Sequence, residues 1–425
     1  MRKLFYLLIL AAAVVSCNKS QEDNSGPKVI DIEKGLENRS LVKLSEYASA
    51  INYIPLESSL ECMMCGDEYM KIVKQADKFY FYSEVSSAPV FCFNQSGKFI
   101  RFIGTQGRAA NEFRRYVMDF TINRENGQML IADLENNLLF YDSEGNYIRT
   151  ASLPDNLLSF GDDYTIIHKS GGEYMFVGFN KCERDGVDII KTSDDFIVHI
   201  DSCGRELERK PVGASYGLIT KRVLNHVAAQ DDPSDLYYTD GIVNIRRADT
   251  IYTYNIEKDT LLMEYLVDYG KLQARHEDFK VKFLPKRTGL FLNSDKFVIF
   301  SMLFSGRSFP DMDKKYNHSV FLYDKQSRKT TALAADPNLG LALEYCGFGV
   351  MPGAEKTGYA GFVNDLDSGA PFVPRYIKDG KMYQIMDAIR FMDLADKCKS
   401  PAMKKVAASM NEDSNPVLIE VVLKK

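Results

Sequence analysis

The chain has 425 residues, with 53 Lys and Arg against 58 Asp and Glu and a net charge of −5. Both signs are mixed along its length and no basic block is present to neutralise phosphates, so a nucleic-acid partner is not expected. Tryptophan is absent, whereas 24 Tyr and 26 Phe suit strands, and the length is enough for one large repeat fold or two or three ordinary domains.

At the start, Arg2 and Lys3 precede an apolar run from Leu4 to Val15. A helix crossing a bilayer needs roughly 20 residues, so this pattern predicts a cleaved secretory signal over residues 1–16. Its end, Val14-Val15-Ser16-Cys17, resembles the lipobox of bacterial lipoproteins. That resemblance implies that Cys17 is lipidated and becomes the new N-terminus; an ordinary signal peptide with a chance cysteine is the alternative. Several acyl chains would hold the protein firmly on a membrane. The polar stretch before residue 29 reads as a flexible tether, residues 17–28. Asn18, in place of an aspartate, favours the outer membrane. Glu22 and Asp23 resemble surface-export signals of Bacteroidetes lipoproteins. The expected location is the outer membrane, facing the periplasm or on the cell surface.

Seven cysteines follow Cys17, so at least one thiol is unpaired. Cys62 and Cys65 have CxxC spacing, but no second CxxC and no histidine pair complete a zinc set. A local disulfide or two packed thiols is the expected state.

From Asp77 onward, aromatic and β-branched runs alternate with Gly, Asp and Asn turns. KFYFYS (Lys78–Ser83), PVFCFN (Pro89–Asn94) and KFIRFI (Lys98–Ile103) form one unit. QMLIA (Gln128–Ala132), NLLFY (Asn137–Tyr141) and NYIRT (Asn146–Thr150) form the next, and "VFCFNQSGKFIR" aligns with "LLFYDSEGNYIR". Weaker copies begin near Glu173, Asp249, Lys296 and Gly380. Such spacing with about four strands per unit predicts an all-β fold: a six-bladed β-propeller of four-stranded antiparallel blades, over residues 29–425. Val29–Ile32 and Val417–Leu423 are expected to meet in one blade and fasten the ring. Leu41–Ser49 reads as a short helix or turn. Met386–Met410 reads as a short helical insertion near the C-terminus, with Ser400 as N-cap and Pro401 at the first helical position, packed outside the last blade.

Four segments, "LVKLSEYASAINYIPLES", "GKFIRFIGTQGRAANEF", "ADTIYTY" and "NEDSNPVLIEVVLKK", resemble the six-bladed β-propeller lipoproteins common in Bacteroidetes, which are related to NHL-repeat propellers. The resemblance covers Val29 to Lys425. It implies a six-bladed ring, export and lipid anchoring, and no known activity. The family's blade-joining motif reads G-x-x-G-x-G-P-G-E-Y. Gly104, Gly107 and Glu112 match it, Phe113 replaces the tyrosine, and Ala109-Ala110-Asn111 stand where Gly-Pro-Gly is usual. That departure puts ligand contact by main-chain N–H groups in doubt.

No GxxxxGK[ST] phosphate loop and no GxSxG elbow is present. Gly104 and Gly107 follow a strand, but Tyr116–Ile122 after them is strand-like, which rejects a dinucleotide fingerprint. The five histidines, His168, His199, His226, His276 and His318, lack ligand spacing, and each is read as packed or exposed. Propeller lyases related to NHL repeats use histidine-bound metal, so convergence on the axis stays open. Asp231-Asp232-Pro233-Ser234-Asp235 lacks the glycine and glutamate of a calcium loop. No catalytic residue, metal ligand or cofactor is predicted. The candidate binding loop is Arg108, Asn111, Glu112, Arg114 and Arg115, with Glu112 expected to hold the loop by accepting hydrogen bonds. The expected function is a lipid-anchored, non-catalytic envelope module that binds a protein, peptide or glycan. The alternatives are a metal-dependent lyase or hydrolase with an axial site, and an accessory of a nutrient-uptake complex. Replacing Cys17 by Ser is expected to move the protein from the membrane to the soluble fraction; retention in the membrane contradicts the lipid anchor.

Overall fold

One local device builds the repeated strand–turn–strand signature. The side chain of Asn94 accepts hydrogen bonds from the N–H groups of Ser96 and Lys98 (2.9 and 3.0 Å). Asp142 does the same for Glu144 and Asn146, and Asp201 for Cys203 and Arg205. Three residues after each sits a glycine in the left-handed region, Gly97 (φ 80°), Gly145 (φ 82°) and Gly204 (φ 79°). Asx side chains mimic a backbone turn and glycine takes positive φ without steric cost. Asn255 and Asp324 cap looser versions, accepting from Lys258 and Ser327, with Asp259 and Arg328 in the left-handed place one residue later.

The computed structural model describes residues 26–64, 70–84, 86–153, 164–178, 183–185, 188–191, 196–212, 221–223, 226–228, 235–239, 242–247, 250–272, 274–276, 281–283, 286–304, 318–334 and 361–425. The described chain opens with strand β1 (Lys28–Asp31), helices α1 (Ile32–Glu37) and α2 (Leu44–Tyr47), and β2 (Ala48–Pro55). Blade 1 is β3 (Met70–Gln75), β4 (Lys78–Ser83), β5 (Val90–Asn94) and β6 (Phe99–Ile103). Blade 2 is β7 (Val117–Ile122), β8 (Met129–Asp133), β9 (Asn137–Tyr141) and β10 (Tyr147–Ser152). Blade 3 takes β11 (Tyr164–Ser170) and β12 (Glu173–Gly178), is interrupted by a hairpin of β13 (Glu183–Asp185) and β14 (Asp188–Lys191), and resumes with β15 (Phe196–Ile200) and β16 (Glu206–Pro211). A second hairpin, β17 (Lys221–Val223) and β18 (His226–Ala228), leads to blade 4: β19 (Asp235–Thr239), β20 (Ile242–Arg247), β21 (Thr250–Asn255) and β22 (Thr260–Asp268). A third, β23 (Ala274–His276) and β24 (Val281–Phe283), precedes blade 5: β25 (Lys286–Asn293), β26 (Phe297–Leu303), β27 (His318–Asp324) and β28 (Lys329–Ala332). Blade 6 holds β29 (Tyr376–Lys378) and β30 (Lys381–Met386), then helices α3 (Ala388–Lys397) and α4 (Pro401–Ala407), then β31 (Val417–Leu423). Its fourth strand is β2.

The core is divided in the way a ring requires. Six apolar clusters each fill one gap between neighbouring blades. Tyr80, Tyr82 and Cys92 of blade 1 meet Val117, Phe120 and Ile131 of blade 2, and Phe79, Phe81 and Phe93 meet Tyr383, Ile385 and Leu418 across the closing gap. The first strands of successive blades, β3, β7, β11, β19 and β25, approach one another in turn around the axis.

The chain ends correct one expectation. Val417–Leu423 does fasten the ring, but its partner is β2, with Tyr53 opposite Ile419. The Val29 strand goes elsewhere: β1 lies parallel to β22 as a fifth strand of blade 4, with Val29 beside Leu266 and Ile30 beside Val267. The reason is edge availability. β31 has β30 on one side and β2 on the other, so it offers no free edge, whereas the outer edge of blade 4 is open. Docking there buries Ile30 and Ile32 among Tyr265, Val267 and Phe321, and Asp31 N–H donates to Thr330 Oγ1 (3.1 Å).

The second C-terminal helix starts at the predicted Ser400-Pro401 cap, and the first is capped by Asp387. Asp387 accepts from Arg390 N–H and Ser400 from Met403 N–H (2.8 and 3.0 Å), and Pro401 opens α4. Phe391, Leu394 and Met403 pack on Val417, Ile419 and Val421 of blade 6.

The turn glycines bring blades close. A Cβ on Gly204 would lie 2.3 Å from the Ser152 carbonyl oxygen of blade 2, while one on Gly171 would meet nothing within 4 Å, although both have positive φ. Left-handed φ costs an L-residue about 1–2 kcal/mol. Gly171→Ala is therefore expected to lower unfolding stability by about 1 kcal/mol, and Gly204→Ala by about 3 kcal/mol or more, because backbone must also move. Denaturant titration of both variants checks this; equal losses contradict the blade-to-blade contact.

Candidate functional site

The predicted loop joins β6 to β7, at the top of the gap between blades 1 and 2. Gly107 N–H donates to Phe113 O (3.1 Å) and Phe113 N–H to Thr105 O (3.0 Å), which closes the loop on itself. Phe113 is fully buried between the blades. The Glu112 carboxylate folds back inside the loop and accepts from Ala109 N–H (2.7 Å). It fills the space that a side chain at position 107 would need, since a Cβ there would lie 1.9 Å from Glu112 Oε2. Gly107 is thus required by the Glu112 carboxylate.

Arg114 turns inward in the same way. Its guanidinium donates to the carbonyls of Gly107 and Arg108, and its N–H donates to Asp133 Oδ2 (2.8 Å). Asp133 is fully buried and also accepts from Glu135 N–H, Asn137 N–H and the Asn137 amide. Burial pushes its carboxyl up, against the pull of those donors. Thr150 Oγ1 on β10 donates to Ala110 O (2.8 Å), which ties the loop tip to blade 2. Of the five predicted residues, Glu112 and Arg114 hold the loop together. Arg108, Asn111 and Arg115 are exposed, and Arg115 sits at φ 60°.

Near the axis, the bulge of β7 carries Asp119, which is buried. It accepts from Tyr82 OH of blade 1 (2.6 Å) and from Thr165 OH and Ile166 N–H of blade 3 (2.8 and 2.7 Å). Burial, with the Asp119 charge beside it, raises the Tyr82 hydroxyl well above its ordinary value. With Phe120 N–H as a fourth donor (2.8 Å), the carboxylate links three blades and its lone pairs are committed to structural hydrogen bonds.

A second polar cluster lies between blades 3 and 4, away from the axis. His199 on β15 is only 2% exposed. Its cross-strand partner on β16 is Glu208. Lys169 Nζ lies 3.0 Å from His199 Nδ1, and Tyr254 Oη 3.4 Å from Nε2. Tyr254 OH donates to Asp259 Oδ1 in the turn after β21. Lys210 Nζ bridges Asp259 (2.6 Å) and Glu208 (3.5 Å). Burial, helped by the Lys169 charge, lowers the His199 pKa, so the imidazole is neutral at pH 7. Hydrogen bonds from Lys210 and Tyr254 hold the Asp259 carboxyl down at about 2. Sequence spacing gave no sign of this group, because its members come from four strands and a turn spread over ninety positions.

His168 is buried; its Nε2 faces Gly171 O (3.2 Å) and its ring stands edge-on to Tyr174. The side chains of His226, His276 and His318 lie outside the described residues, as do Asp231–Ser234 and Cys65. Cys62 is a buried free thiol that donates to Glu57 O (3.1 Å).

A ring of six four-stranded antiparallel blades, sealed by an N-terminal strand in the last one, defines the molecule as a six-bladed β-propeller. The chain belongs to the family described as "Domain of unknown function (DUF4934)", whose sequence profile matches residues 27–422. No curated protein matches it. Among solved structures it is similar to a "putative exported protein" from Bacteroides fragilis, at 13% identity and a TM-score of 0.62, over 93% of this chain and 100% of that one. It is also matched to the Pan2 WD40 domain of Neurospora crassa, at 9% identity and a TM-score of 0.33, over 84% of this chain and 75% of that one. The first likeness supports the fold; the second is too low to carry an argument.

Hydrogen bonds to charged groups contribute about 1.5–3 kcal/mol each. Glu112→Gln or Arg114→Met is therefore expected to speed amide exchange of residues 107–113 by about tenfold or more, without unfolding the ring. Unchanged exchange would mean that these two side chains do not hold the loop.

Proposed function

We propose that the protein is a lipid-anchored cell-envelope propeller that acts as a non-catalytic binding or scaffold module for a protein, peptide or glycan. The observation that carries this reading is the 104–116 loop. Its interior is fastened by Glu112, Arg114 and Thr150, while Arg108, Asn111 and Arg115 face solvent. A surface held rigid before binding loses little conformational entropy when a partner arrives. Arginine and asparagine supply the planar donors and acceptors that carboxylates, peptide groups and sugar hydroxyls need.

Attachment through Cys17 and an outer-membrane location are supported by the charged start, the short apolar run and the cysteine behind it. Among the described residues, no helix is long and apolar enough to cross a membrane. The fold similarity to a Bacteroides fragilis protein described as exported is in keeping with that location. Relationship to NHL-repeat propellers belongs to the same proposal.

The test is a glycan array and a displayed-peptide library probed with purified wild type and with Arg108→Ala/Asn111→Ala. We expect a ligand whose affinity falls about tenfold or more in the double variant, the loss of one or two good polar contacts. Finding no ligand in either panel, or one that binds both proteins equally, overturns the assignment of this loop.

A further inference from the structure

We propose that His199, Glu208 and Asp259 form a site for a divalent transition-metal ion of the zinc class, which clamps blade 3 to blade 4 by displacing the Lys169 ammonium. One ligand-type atom from each of the three residues lies within 4.8 Å of the other two. His199 and Glu208 are direct cross-strand partners on β15 and β16, so their side chains leave the same face of blade 3. Asp259 reaches them from the β21–β22 turn of the next blade. Tetrahedral zinc takes imidazole and carboxylate donors at about 2.0–2.2 Å, which places neighbouring donors about 3.3 Å apart. The Glu208 side chain is 55% exposed and Asp259 35% exposed, so rotation of both can close that difference.

The imidazole is presented as a ligand would be. Nε2 faces Tyr254 Oη, and Tyr254 OH is committed to Asp259 Oδ1. The ring proton is therefore on Nε2, and the Nδ1 lone pair points at the position now held by Lys169 Nζ. A ligating histidine is ordinarily fixed by a hydrogen bond on its other nitrogen in this way. Here the same tyrosine also orients the Asp259 carboxylate.

A cation is already favoured at this point. The Lys169 ammonium lies 3.0 Å from His199 Nδ1 and 3.9 Å from Asp259 Oδ2. Lys210 lies between the two carboxylates. Both lysine side chains are partly exposed and long enough to swing into water. One doubly charged ion can take their place with the charge balance of the cluster unchanged.

The test uses the purified full chain and Zn2+ alone, read by calorimetric titration and by thermal unfolding at pH 7.5. We expect one equivalent to bind and to raise Tm by several degrees. His199→Gln should abolish both effects. Lys169→Met, which removes the competing positive charge, should tighten binding about tenfold or more. Should His199→Gln not fold, Glu208→Gln at the exposed ligand should weaken binding by a similar factor. Three results overturn the proposal: no binding by the wild type, a Tm shift retained in the ligand variants (which assigns the ion to a site such as the exposed Cys203), or binding confined to Lys169→Met.

Discussion

β2 and β31 join opposite ends of the chain: Ala48 lies opposite Leu423 and Pro55 opposite Val417. A propeller blade has two apolar faces, and no blade can cover both by itself. The clusters on either side of blade 6 exist only because this ladder forms. The entropy of closing so long a loop rises only with the logarithm of its length, by about 0.6 kcal/mol per doubling. Against it stands the burial of Val417, Leu418, Ile419 and Val421, each within 2% of complete and contributing about 1.5–3 kcal/mol. The seam therefore holds by side-chain burial on both faces of one strand, with its hydrogen bonds setting register.

Within the ring, a second rule recurs at three successive gaps. A long side chain on the outermost strand of one blade reaches the third turn of the next. Arg101 donates to the carbonyl and carboxylate of Glu144. Arg149 donates to Ser202 O while its guanidinium lies 3.8 Å above the Phe140 ring. Lys210 pairs with Asp259. At the closing gap the polarity reverses, and Glu57 accepts from Phe99 N–H of blade 1. Such surface ties are individually weak, but they align each turn with its neighbour. The His199 cluster is the same tie with additions. Once Asp259 stands in the turn in place of a carbonyl, a neighbouring histidine and a second carboxylate give a structural contact the composition of a ligand set.

What could be read from the sequence was what is local. The Asx turns with glycine three residues on, the Ser400-Pro401 cap and the alternating runs each carry their cause within a few positions, and six blades follow from repeating them. Glu112 was legible because its loop closes over a short span. Asp119 was not, since its partners Tyr82 and Thr165 lie a blade away on either side. The placement of β1 failed for a related reason. A four-residue strand with one buried side chain, Ile30, needs an edge, and which edge is free is decided by every other strand. His199 looked like any packed histidine until Glu208, Tyr254 and Asp259 were brought to it.

The position of β1 also sets how the molecule carries load. A pull on the segment before Lys28 acts along the four-residue parallel ladder with β22, so its bonds are loaded together in shear and not opened one by one. Ile30 and Ile32 are lodged in the gap behind it, and α1 and α2 lie between this strand and β2. Strain entering at the N-terminal segment is taken up first by the outer edge of blade 4 and by Thr330 and Phe321 of blade 5. The strand that keeps the ring closed is therefore loaded only after the β1 ladder gives way.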